Sequence, residues 1–352
     1  MNIFVTEYLC SGACELTEAE SGLLTEGTAM LEAIIIDLLA LPYIRVMTGL
    51  KQTLSLNAPI FKEAIRGERL QIFRVNTPEQ ESESFKTACQ MADCAFIIAP
   101  EFEDLLSSRT QLALDSGAVV AGSDLNTIQL TADKWRFYEL MQENSIPVIP
   151  TQFLSGELPP SAVSFPCLIK HRFGAGGLGL ETFDNEVAIQ KHWTQLKPPE
   201  RTFLLQPFLT GKPLSTVALI RAGHREFFPV GEQQISWKQG FQYQGGTIPA
   251  DVNERVSQSI YDLMNRVCDL LPGLAGYVGF DILLPDDAPN EPVLVEINPR
   301  LTTSYTGYRR LTHDNLAARL IDSTTDFPPI NWNRGETVRF HTDGSSALLP
   351  QS

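Results

Sequence analysis

Two stretches of this chain carry residue types that could do chemistry together. The first is Gly276-Tyr-Val-Gly-Phe-Asp-Ile-Leu-Leu-Pro285, a polar segment, then Pro292-Val-Leu-Val-Glu-Ile-Asn-Pro-Arg300. Asp286, Asp287, Pro289 and Asn290 are turn formers between two β-rich runs, which predicts a β-hairpin. A turn centred between Ala288 and Pro289 sets Asp281 opposite Glu296 and Gly279 opposite Asn298. Opposed residues hold their Cβ atoms about 4.5–5.5 Å apart, and side chains alternate faces. Asp281, Glu296 and Asn298 then share one face. Two carboxylates that close repel unless a cation joins them, and hard oxygen donors suit Mg²⁺ or Mn²⁺ bridging to phosphates. A solvated polar face is the competing reading; the matching depth of these residues among Val, Ile and Leu on both strands favours the metal. Two residues on, Arg300 could neutralise a transferring phosphoryl group or pair with a carboxylate.

The second stretch is Lys170-His-Arg-Phe-Gly174-Ala-Gly176-Gly177-Leu-Gly179. It satisfies G-x-G-x-x-G, but a dinucleotide fingerprint needs a helix after the loop, and here another strand-like run follows. Strand on both sides predicts a glycine-rich flap whose backbone N–H groups could cover phosphates, with the Lys170 ammonium beside them. A flexible hairpin with a surface lysine remains the alternative. His171 reads as a flap-packing residue. No Walker A sequence is present. Asp133-Lys134 supplies a second lysine on a helix expected over 131–144, with Thr131 as its cap. Phe203-Leu-Leu-Gln-Pro-Phe208 reads as a strand becoming a linker that could wall an adenine ring.

The elements that must position these groups change character along the chain. Short strands at 2–7, 44–48, 70–75, 95–99 and 118–121 alternate with helices at 28–41, 83–92 and 102–116, which predicts a parallel α/β sheet. Ligands gather at the carboxyl ends of such strands, where Glu7, Thr48 and Glu101 stand. A boundary falls near Gly122-Ser123-Asp124. Beyond it, prolines punctuate an extended stretch. The chain then turns β-rich, with strands near 167–171, 178–183, 202–206, 214–221, 225–230, 276–284 and 292–298 and a helix over 252–270. From Asp326 onward the Pro-, Asn- and Gly-rich tail is expected to pack irregularly.

Taken together and in this order, a helix-borne lysine, a strand-borne lysine, a glycine flap, a linker strand and an acidic hairpin resemble the ATP-grasp superfamily. The match covers roughly 126–310. It implies an α/β fold, α+β in the ATP-binding part, with four segments: an N-terminal parallel-sheet domain (1–125), a lid sub-domain (126–210), a C-terminal sub-domain carrying the hairpin (211–330) and a tail (331–352). It also implies ATP held by Lys134, Lys170 and the flap glycines Gly174, Gly176 and Gly177, with Gln206, Pro207, Phe208 and Ser215 at the nucleoside. Asp281, Glu296 and Asn298 would hold Mg²⁺ or Mn²⁺, and Arg300 and Lys170 would act on the transferred phosphoryl group. Many relatives have an acidic residue at the linker; this chain offers Gln206 and Ser215. Phe4-Val-Thr-Glu-Tyr-Leu9, Tyr243-Gln-Gly-Gly-Thr-Ile-Pro249 and Glu296 to Tyr305 look similar to the carboxylate–amine ligases of methanofuran biosynthesis, which implies Glu7, Glu101, Thr302, Thr303 and Ser304 at the substrates.

Composition bounds the rest. The chain has 352 residues and a net charge of −15, a field that repels phosphate backbones and argues against nucleic-acid partners. No apolar run reaches the ~18 residues of a membrane span, and no basic leader precedes the first strand, so a cytoplasmic protein is expected. Six cysteines without a C-x-x-C pair are expected as free thiols. The expected partners are a small-molecule acid and amine, with a homodimer left open. The rival readings are a dipeptide ligase or carboxylase of the same superfamily, or a nucleotide binder without turnover.

Overall fold

With Ile3, Phe4 and Val5 at its centre, Asn2–Glu7 forms strand β1, buried along nearly its whole length as an interior parallel strand requires. The structure is a computed structural model and describes residues 1–15, 21–154, 164–174, 177, 179–195, 203–237, 240–321 and 328–350. After β1 come α1 (Tyr8–Ser11), α2 (Ser21–Leu39), β2 (Arg45–Lys51), α3 (Pro59–Arg66), β3 (Leu70–Val75), α4 (Pro78–Met91), β4 (Cys94–Ile98) and α5 (Leu105–Asp115). The strands pair in parallel in the order β3–β2–β1–β4. Leu31, Ile34, Ile35 and Leu38 of α2 pack on Ile3, Val5 and Val46, and the same apolar cluster takes in Tyr305, Tyr308 and Phe340 from the far end of the chain. The N-terminal sheet and the C-terminal segments therefore share a core.

The strand expected over 118–121 shrinks to one bridge, Val120 to Ala95. Three residues later Ser123 is anchored to Ala275 through its hydroxyl, which pulls the chain off the sheet. The helix expected over 131–144 is divided into α6 (Leu125–Ala132) and α7 (Lys134–Glu143). Thr131 is not a cap; its hydroxyl donates to the Thr127 carbonyl inside α6. Asp133 caps α7, accepting from Trp135 and Arg136 N–H at 3.2 Å, and an Asp side chain competing for backbone N–H groups is what interrupts the helix.

An antiparallel sheet follows, built from β5 (Gln152–Leu154), β6 (Cys167–His171), β7 (Glu181–Phe183) and β8 (Phe203–Pro207) in the order β5–β8–β6–β7, with α8 (Glu186–Gln195) packed on it. The strand expected to start at 178 is described from Glu181, and Leu178 lies outside the described residues. The largest sheet contains β9 (Gly211–Arg221), β10 (His224–Phe227), β11 (Gly231–Ser236), β12 (Gln242–Ile248), β13 (Gly276–Pro285), β14 (Val293–Asn298), β15 (Thr337–Phe340) and β16 (Ser346–Leu349). Its order is β14–β13–β9–β11–β12–β15–β16, with β10 folded back on β9. Helix α9 (Glu254–Leu270) follows β12 and lays Val256, Ile260, Leu263, Met264 and Val267, one helical stripe, on β9 and β13. Short helices α10 (Tyr305–Tyr308) and α11 (Leu316–Ile321) follow β14.

Two parts of this sheet depart from expectation. The tail is not irregular: Val338 and Phe340 are buried while Arg339 faces out, and β15 extends the sheet from the free edge of β12. A four-residue alternation is too short to read in a polar stretch; the waiting edge decides it. Strands β11 and β12, rich in Gln and Gly, have weak β propensity and are held by their neighbours. Cys10, Cys89, Cys94, Cys167 and Cys268 are buried free thiols. Among the described residues no helix is long and apolar enough to cross a membrane.

Candidate active site

The hairpin β13–β14 pairs Asp281 with Glu296 and Gly279 with Asn298, the register expected from its turn. Beyond Asp281 the pairing moves to Ile282 with Leu294, so Val295 is an extra residue in a bulge beside Glu296. Asp281 faces the side chain of Gln233 on β11, whose Nε2 donates to Oδ1 at 2.8 Å, while Asn298 Nδ2 donates to Oδ2 at 3.0 Å. Glu296 Oε2 lies 2.7 Å from Lys134 Nζ.

Lys134 is the first residue of α7, and the cap that starts this helix also aims it. Asp133 takes Nε and Nη2 of Arg172 at 2.7 and 2.5 Å, and Lys134 N–H donates to the Arg172 carbonyl. The start of α7 is thus tied to the end of β6, two residues past Lys170. Both lysines arrive in the same cleft over the acidic hairpin. That cleft has a volume of about 630 Å³, within the ~300–1,000 Å³ typical of small-molecule sites.

Burial and the Lys134 charge beside it, only partly opposed by Glu296, push the Lys170 ammonium down to about 7. Burial and the Glu296 carboxylate push Asp281 up to about 6. Burial also acts to raise Glu296, but Lys134, Lys170 and Arg300 outweigh it and hold that carboxyl below its ordinary value.

The cleft brings together most of the expected residues: Lys134, Lys170, Gly174, Gly177, Gln206, Pro207, Phe208, Ser215, Asp281, Glu296, Asn298, Arg300, Thr302, Thr303 and Ser304 line it. Gly176 lies outside the described residues. Glu7 and Glu101 do not line the cleft. Glu7 caps α1 through Cys10 N–H at 2.8 Å, with Gly27 packed so tightly on its carboxyl that a Cβ would collide; burial pushes it up to about 7. Glu101, 4% exposed, is the partner of Arg300: Nη2 donates to Oε2 at 2.9 Å, and Nε approaches Oε1 to 2.8 Å. Of the two sequence readings for Arg300, the ion pair forms, but with Glu101 and not with the hairpin carboxylates.

At the linker, Gln206 is 6% exposed and donates to the Thr151 hydroxyl at 2.7 Å. Ser215 sits on β9 between Asp281 and Gly231 in the neighbouring strands. Phe208, Trp237 and Phe241 form an edge-on aromatic series, with centroids 5.0 and 5.3 Å apart. The flap rests on it, because Gly177 adopts φ +73° with its α-carbon against the Phe241 ring. A Gly177→Ala substitution would require a strained left-handed alanine and displace that ring, about 1–2 kcal/mol from the backbone alone. About tenfold weaker ATP binding is expected, read by calorimetry; unchanged affinity would mean that the flap does not bear on the nucleotide.

Sequence reasoning passed over Gln233, Trp237, Phe241 and Glu26, all of which line the cleft. Gln233 lies on a weakly patterned strand, Trp237 just past β11 and Phe241 just before β12, and Glu26 within a helix whose pattern only reports burial. No spacing signal marks them.

Among the described residues no three His, Cys, Asp or Glu side chains are gathered for a metal, so a metal candidate rests on Asp281, Glu296 and the Asn298 amide oxygen. The donors fit a hard divalent cation: two carboxylates and an amide oxygen meet on neighbouring strands, and burial together with the Glu296 charge raises Asp281. Since Asp281 must shed its proton to hold a cation, Mn²⁺ affinity is expected to be level above about pH 7 and to fall up to tenfold per unit below about 6. A Mn²⁺ titration followed by electron paramagnetic resonance checks this, and a flat profile would remove Asp281 from the site.

Two lysines over an acidic hairpin, under a glycine flap and between two antiparallel sheets, define an ATP-grasp ligase. A family model described as an ATP-grasp domain matches residues 131–304, and one described as a pre ATP-grasp domain matches 54–128. The chain belongs to the ATP-grasp superfamily. It is similar to the tyramine–L-glutamate ligase of Methanocaldococcus fervens, 26% identical over 235 residues that span 66% of this chain and 67% of that protein; its counterpart from Methanocaldococcus jannaschii is matched over 63% of its length. Among solved structures it is similar to an ATP-grasp superfamily protein from Archaeoglobus fulgidus, with TM-score 0.68, 23% identity and coverage of 96% of this chain and 92% of that one. An L-amino acid ligase from Bacillus licheniformis superposes with TM-score 0.66 at 14% identity, covering 96% of this chain and 78% of that one.

Proposed function

We propose that this protein is an ATP-dependent carboxylate–amine ligase that works through an acyl phosphate and joins the side-chain carboxylate of glutamate to tyramine, in the cytoplasm, as a step toward a methanofuran-type cofactor. The observation that carries the ligase reading is the convergence of Lys134, Lys170, Asp281 and Glu296 in one cleft of an ATP-grasp fold. The similarity to tyramine–L-glutamate ligase supports the choice of substrates.

A carboxylate does not condense with an amine in water, because its oxygen is a poor leaving group. Phosphorylation by ATP makes an acyl phosphate, which the amine attacks with release of phosphate. Catalysis is then mainly positioning and charge stabilisation. Lys170 and Lys134 place positive charge where phosphoryl oxygens gain negative charge, and the tie between Asp133 and Arg172 holds both lysines in place. Asp281, Glu296 and Asn298 would hold a divalent ion, Mg²⁺ or Mn²⁺, which neutralises phosphate charge when bound. Gln206, Phe208 and Trp237 offer an apolar wall with one polar group to the nucleoside. The flap excludes water that would hydrolyse the intermediate. Arg300, held by Glu101, adds a fixed positive charge behind the reacting acid.

The test is a product screen by mass spectrometry, with purified protein, ATP and Mg²⁺ or Mn²⁺ incubated with L-glutamate and tyramine beside a panel of other acids and amines. Glutamyl-tyramine with stoichiometric ADP is the expected result. ADP with another conjugate, a dipeptide or a carboxylated product would keep the superfamily chemistry and discard these substrates. ADP with none of the pairs would leave a nucleotide binder without turnover.

A further inference from the structure

In the part of the cleft lined by Arg300, Thr302, Thr303 and Ser304, the charges do not balance. Arg300 lines the wall there, but its charge is matched by the 2.8 and 2.9 Å contacts of Glu101 behind it, and its Nη1 donates to the Leu301 carbonyl. Thr302 and Ser304 spend their hydroxyls on each other at 2.8 Å and on the Tyr277 hydroxyl at 3.3 Å. Glu26, on α2, enters the same wall beside Thr303, which donates to its Oε2 at 2.9 Å. Among the described residues no Lys, Arg or His lies within ion-pair distance of Glu26. A carboxylate facing a cleft with only a neutral donor is a feature that stability does not ask for. Removal from water raises it, with the Thr303 bond and the Arg300 charge only partly opposing that.

We infer that Glu26 is the specificity residue that recognises the acceptor as a cationic primary amine, an inference that rests on the ligase reading above. The cleft sorts its substrates by charge. Phosphates are drawn to Lys134 and Lys170, beside the acidic hairpin. An ammonium is repelled there and satisfied at Glu26, where a charge-assisted hydrogen bond gives direction as well as attraction. Tyr243, whose hydroxyl is within reach of both the Glu26 and the Asp281 charge, lines the same cleft. To react, the bound ammonium passes one proton to the Glu26 carboxylate; the freed lone pair forms the C–N bond, the C–O bond to phosphate breaks, and the second proton leaves with the phosphate. An anionic acceptor such as bicarbonate is disfavoured at the same position.

Equilibrium binding of two probes tests this without any turnover: tyramine, and 4-ethylphenol, which has the same ring and chain length but no ammonium. Calorimetry on the protein saturated with a non-hydrolysable ATP analogue is expected to show at least tenfold tighter binding of tyramine, the scale of one charged hydrogen bond. Glu26→Gln is expected to abolish that preference and Glu26→Asp to keep most of it. Because the comparison is made within each protein, a general loss of stability does not imitate it. Equal binding of the two probes by the wild-type protein, or an undiminished preference in Glu26→Gln, would overturn the inference. Neither result would touch the ligase reading, which stands or falls on ADP and conjugate formation.

Discussion

Glutamine in place of Glu296 is expected to reduce ATP-dependent product formation by about a hundredfold to a thousandfold, the scale seen when one preorganised charge is removed from a reacting centre. The side chain keeps its shape, so the loss isolates the charge. Two things fail together. Lys134 Nζ, 2.7 Å from the carboxylate, loses the partner that holds it over the cleft. Asp281 then stands alone as the acidic donor, released from its repulsive neighbour and returned toward an ordinary carboxyl value. Coupled ADP-release assays at saturating Mg²⁺ and at saturating Mn²⁺ are the measurement. Full turnover in the variant would exclude the hairpin from the chemistry and with it the ligase mechanism.

Methionine at position 170 is expected to weaken ATP binding by about tenfold to a hundredfold, the scale of a hydrogen bond to a charged group, and to remove a pH dependence that the wild-type protein should show. The free protein holds the Lys170 ammonium down at about 7, so below that pH it is already charged and binding is insensitive to pH. Above it the lysine is largely neutral. Bound phosphates favour the charged form, so binding must draw a proton from solution, and affinity falls up to tenfold for each pH unit until the pKa of the complex is reached. Calorimetry in buffers of different ionisation enthalpy would read the proton uptake directly at pH 8. Affinity that rises with pH across this range, or proton uptake undiminished in Lys170→Met, would assign the linkage to another group.

These two effects differ in how far the sequence anticipates them. That Asp281 opposes Glu296 follows from a turn composition and a two-residue period, which are local. In the structure the turn-side pairs centre on Ala288 and would set Asp281 opposite Val295; the bulge at Val295 restores Glu296 to that position. The flap between two strands was legible for the same reason: a glycine run bounded by β-rich segments has few other local solutions. The parallel N-terminal sheet was legible from alternating strand and helix patterns, and the aliphatic stripe of α9 from its helical spacing.

Tertiary structure alone decided the rest. No period in the sequence shows that Asp133 reaches across to Arg172, 39 residues away, and so brings Lys134 beside Lys170. Nothing local marks Glu101 as the partner of Arg300, 199 residues away, or Glu26 as a wall of the cleft. Glu7 illustrates the opposite error, since a polar residue at a strand end looks like a ligand group and proves to be a helix cap. The tail became sheet because β12 had an open edge to pair. By itself the sequence determined the N-terminal strand and helix alternation, the stripe of α9 and the two strands of the acidic hairpin, because backbone preferences and side-chain periodicity act over a few residues. Which of those groups face each other, and hence which charges are buried, paired or left open to a substrate, was decided by chain closure, because electrostatics acts through distances that only the folded chain sets.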